Sequence, residues 1–201
     1  GSGSSLKIRK LLQALAPSAY VPIDISKDFL LSNAQMLAKD FPSLHVFPVC
    51  ADFSQAIALP PQTDRMHRVG FFPGSTIGNL TALEALNLLK HCHKIFGDEA
   101  TFLIGVDLDK SSEVLIAAYD DPEGVTAEFN RNLLKRINRE LGLNIDIQAF
   151  DHEARYLTDP ARIEMHLVAI TDQMFEIADE TYTLAAGESF HTETSHKFTI
   201  E

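Results

Sequence analysis

The stretch RVGFFPGSTIGNLTALEALNLLKHCHKIFGDEATFLIGV, residues 68–106, decides the fold class of this chain. It begins with an apolar run, residues 68–72, that ends in a Pro-Gly turn. A helical pattern with an apolar face then extends from Ala82 to Phe96, and Gly97 ends that helix. A second apolar run covers residues 101–106. Two strands with little alternation of apolar and polar residues, joined by a helix of this length, predict a βαβ unit whose parallel strands are buried on both faces.

The chain before this unit repeats the same order of elements. A helical stripe over residues 6–15 precedes a short apolar strand at 19–23, and a helix over 26–39 follows with Ser26 as its N-cap. The next apolar run, residues 45–50, is another strand. Strands that alternate with helices in this way predict an α/β fold with a doubly wound parallel sheet over residues 1–109.

The second half of the chain has a different pattern. A long helical stretch at 122–141 is followed by segments in which apolar and polar residues alternate, at 153–157, 162–170, 174–184 and 190–200. Alternation of this kind is typical of antiparallel strands with one solvated face. The change predicts a domain boundary near residue 110, with a β-rich α+β domain after it.

Composition excludes several classes of function. Lys and Arg number 17 against 28 Asp and Glu, so the net charge of −11 argues against nucleic acid and anionic membranes as partners and suits a small cationic or zwitterionic ligand. Cys50 and Cys92 lie far apart, which predicts neither a disulfide framework nor a metal site. Without a long apolar run or a signal-peptide pattern, we expect a soluble, cytoplasmic protein.

Candidate ligand-binding residues follow the predicted strands, because ligands of open parallel sheets bind beyond the carboxyl ends of the strands. These residues are the glycine-rich start Gly1–Ser5, Asp24, Asp52 with Phe53, and the loop 74–79. A glycine-rich turn followed by acids and an aromatic ring suits a nucleoside. A nicotinamide dinucleotide uses a similar first turn with an acid about 20 residues on, so this pattern alone does not separate the two kinds of cofactor.

Longer strings carry a family resemblance. The segments GSGSSLKIRKLLQAL, YVPIDIS, VCADF, FFPGSTIGNLT, AAYDDPEGVTAEFNRNLLKRINRELG, RIEMHLVA and FHTETSHKF resemble, in order and spacing, the bacterial histidine Nα-methyltransferases of ergothioneine biosynthesis. The resemblance spans almost the whole chain. It implies that Gly1–Lys7 is a native cofactor loop and not a cloning linker. It also implies that a helical N-terminal extension and a C-terminal stretch are missing here.

The resemblance implies a Rossmann-like methyltransferase core and assigns site residues by position. The cofactor S-adenosylmethionine would be bound at its methionine end by Gly1, Gly3 and Lys7, at its ribose by Asp24, at its adenine by Asp52 and Phe53, and near the acceptor by Gly74. The substrate L-histidine would be bound by Asn79, Tyr119, Met165, Glu193 and Ser195. Asn79 and Tyr119 would contact the amino acid portion of the substrate and are the candidate catalytic residues, whereas Glu193 and Ser195 would hold the imidazole ring.

The implied reaction is three successive methylations of the histidine α-amino group, with no metal. Residues 1–109 would form the cofactor-binding core, 110–197 the substrate-binding domain, and 198–201 a return to the core. The general base is open between Tyr119, Asn79 and water. Three alternatives remain: a methyltransferase of an indole amino acid, a non-catalytic cofactor-binding fragment, and a nicotinamide oxidoreductase. Glu193 favours histidine because an imidazole N–H needs an acceptor.

Overall fold

The computed structural model of the chain describes residues 6–178 and 180–200. The chain divides into two compact units. Unit 1 comprises the chain up to Pro73 together with Ala82–Ile104, and unit 2 comprises Gly74–Thr81 and the chain from Gly105 onward. Residues 74–81 and 105–109 thus belong to unit 2, whereas the sequence assigns them to the cofactor-binding core. The functions predicted for the two segments remain predictions.

Unit 1 contains short strands between helices, in the predicted order. Its elements are α1 (Leu6–Leu15), β1 (Ala19–Tyr20), β2 (Ile23–Asp24), α2 (Lys27–Asp40), β3 (His45–Val46), β4 (Val49–Cys50), β5 (Val69–Phe72), α3 (Ala82–Phe96) and β6 (Thr101–Ile104). The mixture of helices and strands agrees with an α/β methyltransferase fold.

Two prolines interrupt the first parallel ladder of unit 1. β1 pairs with β3 and β2 pairs with β4, and the partners differ by 26 positions in both pairs, as in Ala19 with His45 and Asp24 with Cys50. One register therefore continues through the interruption at Pro22 and Pro48, where the backbone lacks the N–H that a ladder requires.

The strand pairs of unit 1 form separate parallel ladders. β5 pairs with β6 in a ladder of its own. A continuous doubly wound, Rossmann-like sheet therefore stays a prediction. Within residues 6–178 and 180–200, none of the helices combines the length and the apolar character that a membrane span requires.

Helices α1 and α2 cover part of unit 1 with apolar side chains. Ile8 and Leu12, four positions apart on α1, pack with Leu37 of α2 and with Leu44. This spacing places the two α1 side chains on one helical face. Burial among these groups raises the pKa of Tyr20 to about 12, because the phenolate is disfavoured in an apolar environment.

Unit 2 combines two helices with antiparallel strands. Its elements are α4 (Ser112–Tyr119), α5 (Val125–Leu141), β7 (Phe150–Thr158), β8 (Ala161–Ala169), β9 (Gln173–Ile177), β10 (Glu180–Leu184) and β11 (Ser189–His196). The order β11-β8-β7 forms one antiparallel sheet, and β9 and β10 form a hairpin. Helix α4 is absent from the sequence prediction. Its apolar residues surround the helix instead of following one stripe, so periodicity does not reveal it.

Helix α5 begins three residues later than predicted. The side chain of Asp121 accepts hydrogen bonds from the N–H groups of Val125 and Thr126, at 2.9 and 2.8 Å. Hydrogen bonds from Thr126 and from the Val125 N–H lower the pKa of Asp121 to about 2. Gly124 and Gly142 adopt left-handed conformations at the two ends, which explains why α5 begins and ends there.

The sheet of unit 2 has one face covered by helices. Phe150, Ile163 and Leu167 are fully buried on this face. They pack in clusters that include Leu134 of α5 and Leu115 of α4. We call this the covered face, and the side chains that alternate with it form the open face.

Candidate functional site

The two acids predicted to bind the cofactor lie at one end of a ladder in unit 1. Asp24 ends β2, and its Oδ1 accepts a hydrogen bond from the Ser26 N–H at 2.9 Å. Asp52 follows β4, and its Oδ1 accepts one from the Ser54 N–H at 2.9 Å. Because β2 and β4 run parallel with Asp24 opposite Cys50, both carboxylates lie beyond the carboxyl ends of paired strands.

An aromatic pair lies beside Asp52. The Phe53 ring packs edge-to-face on Phe72, with ring centroids 5.5 Å apart, and Phe72 ends β5. The Ser54 backbone N–H, and then the Ser54 hydroxyl, hold the pKa of Asp52 below its usual range. An ionised acceptor next to an aromatic ring suits a purine nucleoside, which offers N–H and O–H donors and a flat apolar face.

The remaining predicted cofactor residues are placed elsewhere. Lys7 is exposed on α1 of unit 1. Gly74 belongs to unit 2 and has φ of 84°, a left-handed conformation that favours glycine. Gly1 and Gly3 lie outside the described residues.

The loop after Gly74 packs closely against β11. Its residues Thr76–Asn79 form a 3₁₀ turn, and Ser75 before them is left-handed with φ of 59°. A Cβ at Gly78 would lie 2.9 Å from the carbonyl oxygen of His196. Only glycine permits this approach, which brings Asn79 to β11.

A bulge in β11 decides which of its side chains reach the covered face. His191 pairs with His166, but Glu193 pairs with Met165, so Thr192 is an extra residue. The Thr192 hydroxyl donates to the Met165 carbonyl oxygen at 2.9 Å. The bulge re-aims the strand, as bulges near ligand sites commonly do. Glu193 thereby shares the covered face with Met165.

The predicted substrate residues come together on this face of unit 2. The Asn79 amide donates to the Glu193 carboxylate at 2.9 Å. The hydroxyl groups of Tyr119, at the end of α4, and Ser195 are 2.9 Å apart. Ser195 and Met165 are buried, and Glu193 is half-buried. Residues separated by up to 114 positions thus contact each other directly.

The structure adds Lys197 and Asp107, which the sequence analysis missed. The Lys197 ammonium is fully buried and donates to Asp107 Oδ2 at 3.1 Å, to Tyr119 OH at 2.9 Å and to Ser195 Oγ at 2.9 Å. It also lies 4.4 Å from the centroid of the Tyr119 ring. Strand alternation was the available signal, because Glu193, Ser195 and Lys197 are two positions apart and share a face.

Asp107 connects Lys197 to Lys110 and to the loop residue Ser75. Its Oδ1 accepts from the Lys110 ammonium at 2.6 Å, and its N–H donates to Ser75 Oγ at 2.8 Å. The pKa of Asp107 is held below its usual range, mainly by the hydrogen bond from Lys110 and to a smaller extent by the buried Lys197 ammonium. Backbone hydrogen bonds between Asp107, Asp109 and Phe198 keep the carboxylate beside Lys197.

The open face of the same sheet carries a different polar network. Glu164 accepts from Arg162 Nε at 2.7 Å and from His166 Nε2 at 3.2 Å, and His166 Nδ1 lies 3.0 Å from Ser189 Oγ. Burial lowers the pKa of His166, so its ring is neutral at pH 7. Within residues 6–178 and 180–200, no group of three or more His, Cys, Asp or Glu side chains could hold a metal ion.

Comparison with known proteins identifies the family. The family model described as "Histidine-specific methyltransferase, SAM-dependent" matches residues 1–201. The chain belongs to this family. The resemblance in the sequence motifs is therefore confirmed, as is the cofactor class of the family, S-adenosylmethionine.

Two bacterial relatives support the assignment to this family. The histidine N-alpha-methyltransferase of Mycolicibacterium smegmatis is 39% identical over 207 residues, which covers 100% of this chain and 64% of the relative. That of Mycobacterium tuberculosis is 39% identical over 204 residues, covering 98% of this chain and 63% of the relative. The chain thus spans slightly less than two thirds of the length of these curated relatives.

A fungal relative is more distant. The ergothioneine biosynthesis protein 1 of Neurospora crassa is 29% identical over 147 residues, which covers 71% of this chain and 17% of that protein. None of these comparisons assigns a role to an individual residue. The cofactor and substrate roles of the site residues stay predictions.

Proposed function

We propose that the protein containing this chain is an S-adenosylmethionine-dependent N-methyltransferase that converts L-histidine to its trimethylbetaine by successive methylation of the α-amino group. Membership of the family supports the reaction class. The assignment of histidine as the substrate rests on one observation on the covered face of unit 2. There, the Glu193 carboxylate lies on the same strand face as the hydroxyl pair of Tyr119 and Ser195.

The proposed substrate contacts follow from hydrogen-bonding capacity. Glu193 accepts the N–H of the imidazole ring, and Ser195 donates to the other ring nitrogen. Asn79 provides a donor for the substrate carboxylate, and Tyr119 supports Ser195 through the hydrogen bond between their hydroxyl groups. Met165, which is 4% exposed, lines the pocket beside the ring. A phenylalanine side chain would leave Glu193 without a partner, so the site favours histidine over apolar analogues.

The acids of unit 1 fit the cofactor in chemical type. We assign Asp24 to the ribose hydroxyls and Asp52 with Phe53 to the adenine, because carboxylates accept from hydroxyl and amino groups and the Phe53 ring offers an apolar contact. When bound, S-adenosylmethionine supplies a methyl group activated by its sulfonium. The residues of the chain then bind and orient the amine, and this positioning supplies most of the rate.

Calorimetry on the full-length protein tests this proposal. We expect S-adenosylhomocysteine and L-histidine to bind, and Glu193→Gln to weaken histidine by about 10–100-fold, the usual worth of a hydrogen bond to a charged group. Glu153→Gln is the matched control, because Glu153 lies exposed on the open face and should leave the affinity unchanged.

Three results would contradict parts of the proposal. Failure to bind S-adenosylhomocysteine contradicts the methyltransferase activity. Binding of histidine that Glu193→Gln leaves unchanged contradicts the assignment of Glu193 to the ring. Tighter binding of tryptophan than of histidine would indicate an indole amino acid as the substrate.

A further inference from the structure

All three N–H groups of the Lys197 ammonium donate hydrogen bonds within the protein. An ammonium group carries three N–H bonds and accepts none. These three bonds match three oxygens, on Asp107, Tyr119 and Ser195, at 2.9–3.1 Å. Since the side chain is fully buried and its charge is paired with Asp107, its position is set by these contacts and not by solvent.

This arrangement fixes how the two hydroxyl groups can behave. Both oxygens accept a hydrogen bond from Lys197, because an ammonium can only donate. The oxygens are also 2.9 Å apart, so one of the two hydroxyl hydrogens lies between them. One hydroxyl hydrogen remains for a further acceptor. The pair of Tyr119 and Ser195 therefore presents a donor to any ligand on this face.

Glu193 presents the complementary group on the same face. Its carboxylate is an acceptor, and it lies two positions before Ser195 on β11. A neutral imidazole has one N–H and one bare nitrogen, which match an acceptor and a donor. An imidazolium has two N–H groups and a positive charge, so its second N–H would meet the hydroxyl donor and the buried ammonium behind it.

We infer that Lys197 is a positioning residue for the substrate ring, which makes the Tyr119–Ser195 pair a donor and so selects the neutral imidazole of histidine against the imidazolium. This inference rests on the function proposed above. It extends that proposal to the protonation state of the substrate, and it assigns the selection to a residue that need not touch the ring.

The titratable groups around Lys197 are the same in every variant of the pH test below, except at the substituted residue. Lys197 contacts Asp107 and Tyr119. Lys110 binds the same Asp107, and Glu193 lies on the same face of β11. His152 of β7 lies behind Tyr119, where its Nε2 donates to the Tyr119 carbonyl oxygen at 2.7 Å. Asp107, held ionised by two ammonium groups, keeps its charge between pH 5.5 and 7.5.

The test measures the dissociation constant of histidine between pH 7.5 and 5.5, on the full-length protein saturated with S-adenosylhomocysteine. With the neutral ring required, the constant should rise about tenfold over this range, since imidazole has a pKa of about 6.5. In Lys197→Met the hydroxyl oxygens can turn to accept and the nearby positive charge is gone. We expect weaker binding at pH 7.5 and a rise of less than about threefold toward pH 5.5.

Lys110→Met is the matched control, because Lys110 binds the same Asp107 but neither hydroxyl. It should keep the tenfold rise. If Lys197→Met also keeps the tenfold rise, its role is only structural and the inference is wrong. If the unsubstituted protein binds no histidine at any pH, the proposed function fails instead.

A measurement without any variant decides the matter if Lys197→Met does not fold. Nitrogen-15 NMR of ring-labelled histidine bound to the unsubstituted protein at pH 6 should show one protonated and one bare ring nitrogen. A doubly protonated bound ring would overturn the inference.

Discussion

The two faces of the sheet formed by β7, β8 and β11 each carry a polar network, and the two networks are built differently. On the open face, Glu164 contacts both Arg162 and His166, and His166 is stacked on His191 with centroids 5.1 Å apart. On the covered face, the Lys197 ammonium fills its three donors and leaves a hydroxyl donor for another molecule. The polar groups of the open face therefore bind one another, whereas those of the covered face keep a donor with which to bind a ligand.

This difference teaches that charge content alone does not mark a binding site. The open face has more ionisable groups, yet its groups satisfy one another along neighbouring strands. The covered face holds fewer, and they combine strand β11, helix α4 and the 74–79 loop. Polar groups from several elements that converge on one buried surface are the more informative feature.

Removing Asp107 should produce the largest expected effect, a loss of stability on the covered face that has no equal on the open face. Asp107→Ala leaves the buried Lys197 ammonium without its carboxylate. We expect the free energy of unfolding to fall by about 3 kcal/mol. This value is near the low end for buried ion pairs, because Asp107 keeps some solvent access. Glu153→Ala, which removes an exposed partner of Arg155 on the open face, should cost less than about 1 kcal/mol. Urea unfolding of both variants measures this, and equal losses would contradict the contrast.

A methyl group at Gly78 should have the next largest effect, on binding. Gly78→Ala places a Cβ 2.9 Å from the backbone of β11, so the loop must shift and move Asn79 away from Glu193. We expect histidine affinity to fall about tenfold, as for an overpacked contact worth about 1–3 kcal/mol. Gly97→Ala is the control, because its Cβ would meet nothing within 4 Å. It can lower stability through its positive φ but should leave histidine calorimetry unchanged.

The smallest expected effect is a pH dependence that comes from the open face. Burial lowers the pKa of His166 in the folded protein, so the unfolded chain binds the proton first as the pH falls. The free energy of unfolding should therefore decrease from about pH 7 toward pH 5, beginning near the unfolded pKa of about 6.5. His166→Gln should reduce this slope in urea titrations. A steeper decrease in the variant would show that the sign is wrong.

The site was predictable where it depended on local pattern. The acids Asp24 and Asp52 follow strands whose apolar runs are visible in the sequence, and the structure places both at the carboxyl end of one ladder. Helix α4 was not predictable, because its apolar residues follow no single stripe. Nor did residue type single out Lys197, since most lysines are solvent-exposed and only its neighbours show that this one is buried.

What the sequence determined by itself is the order of strands and helices, apart from helix α4, and, through its longer motifs, the family. Periodicity and turn residues act over a few positions, and the chain records them directly. The tertiary structure alone decided which β11 side chains face the helices. Strict alternation puts Phe190 and Glu193, three positions apart, on opposite faces, and the bulge at Thr192 brings Glu193 to the covered face that Phe190 shares with Phe150. The pairing of Lys197 with Asp107, 90 residues away, depends on that same packing.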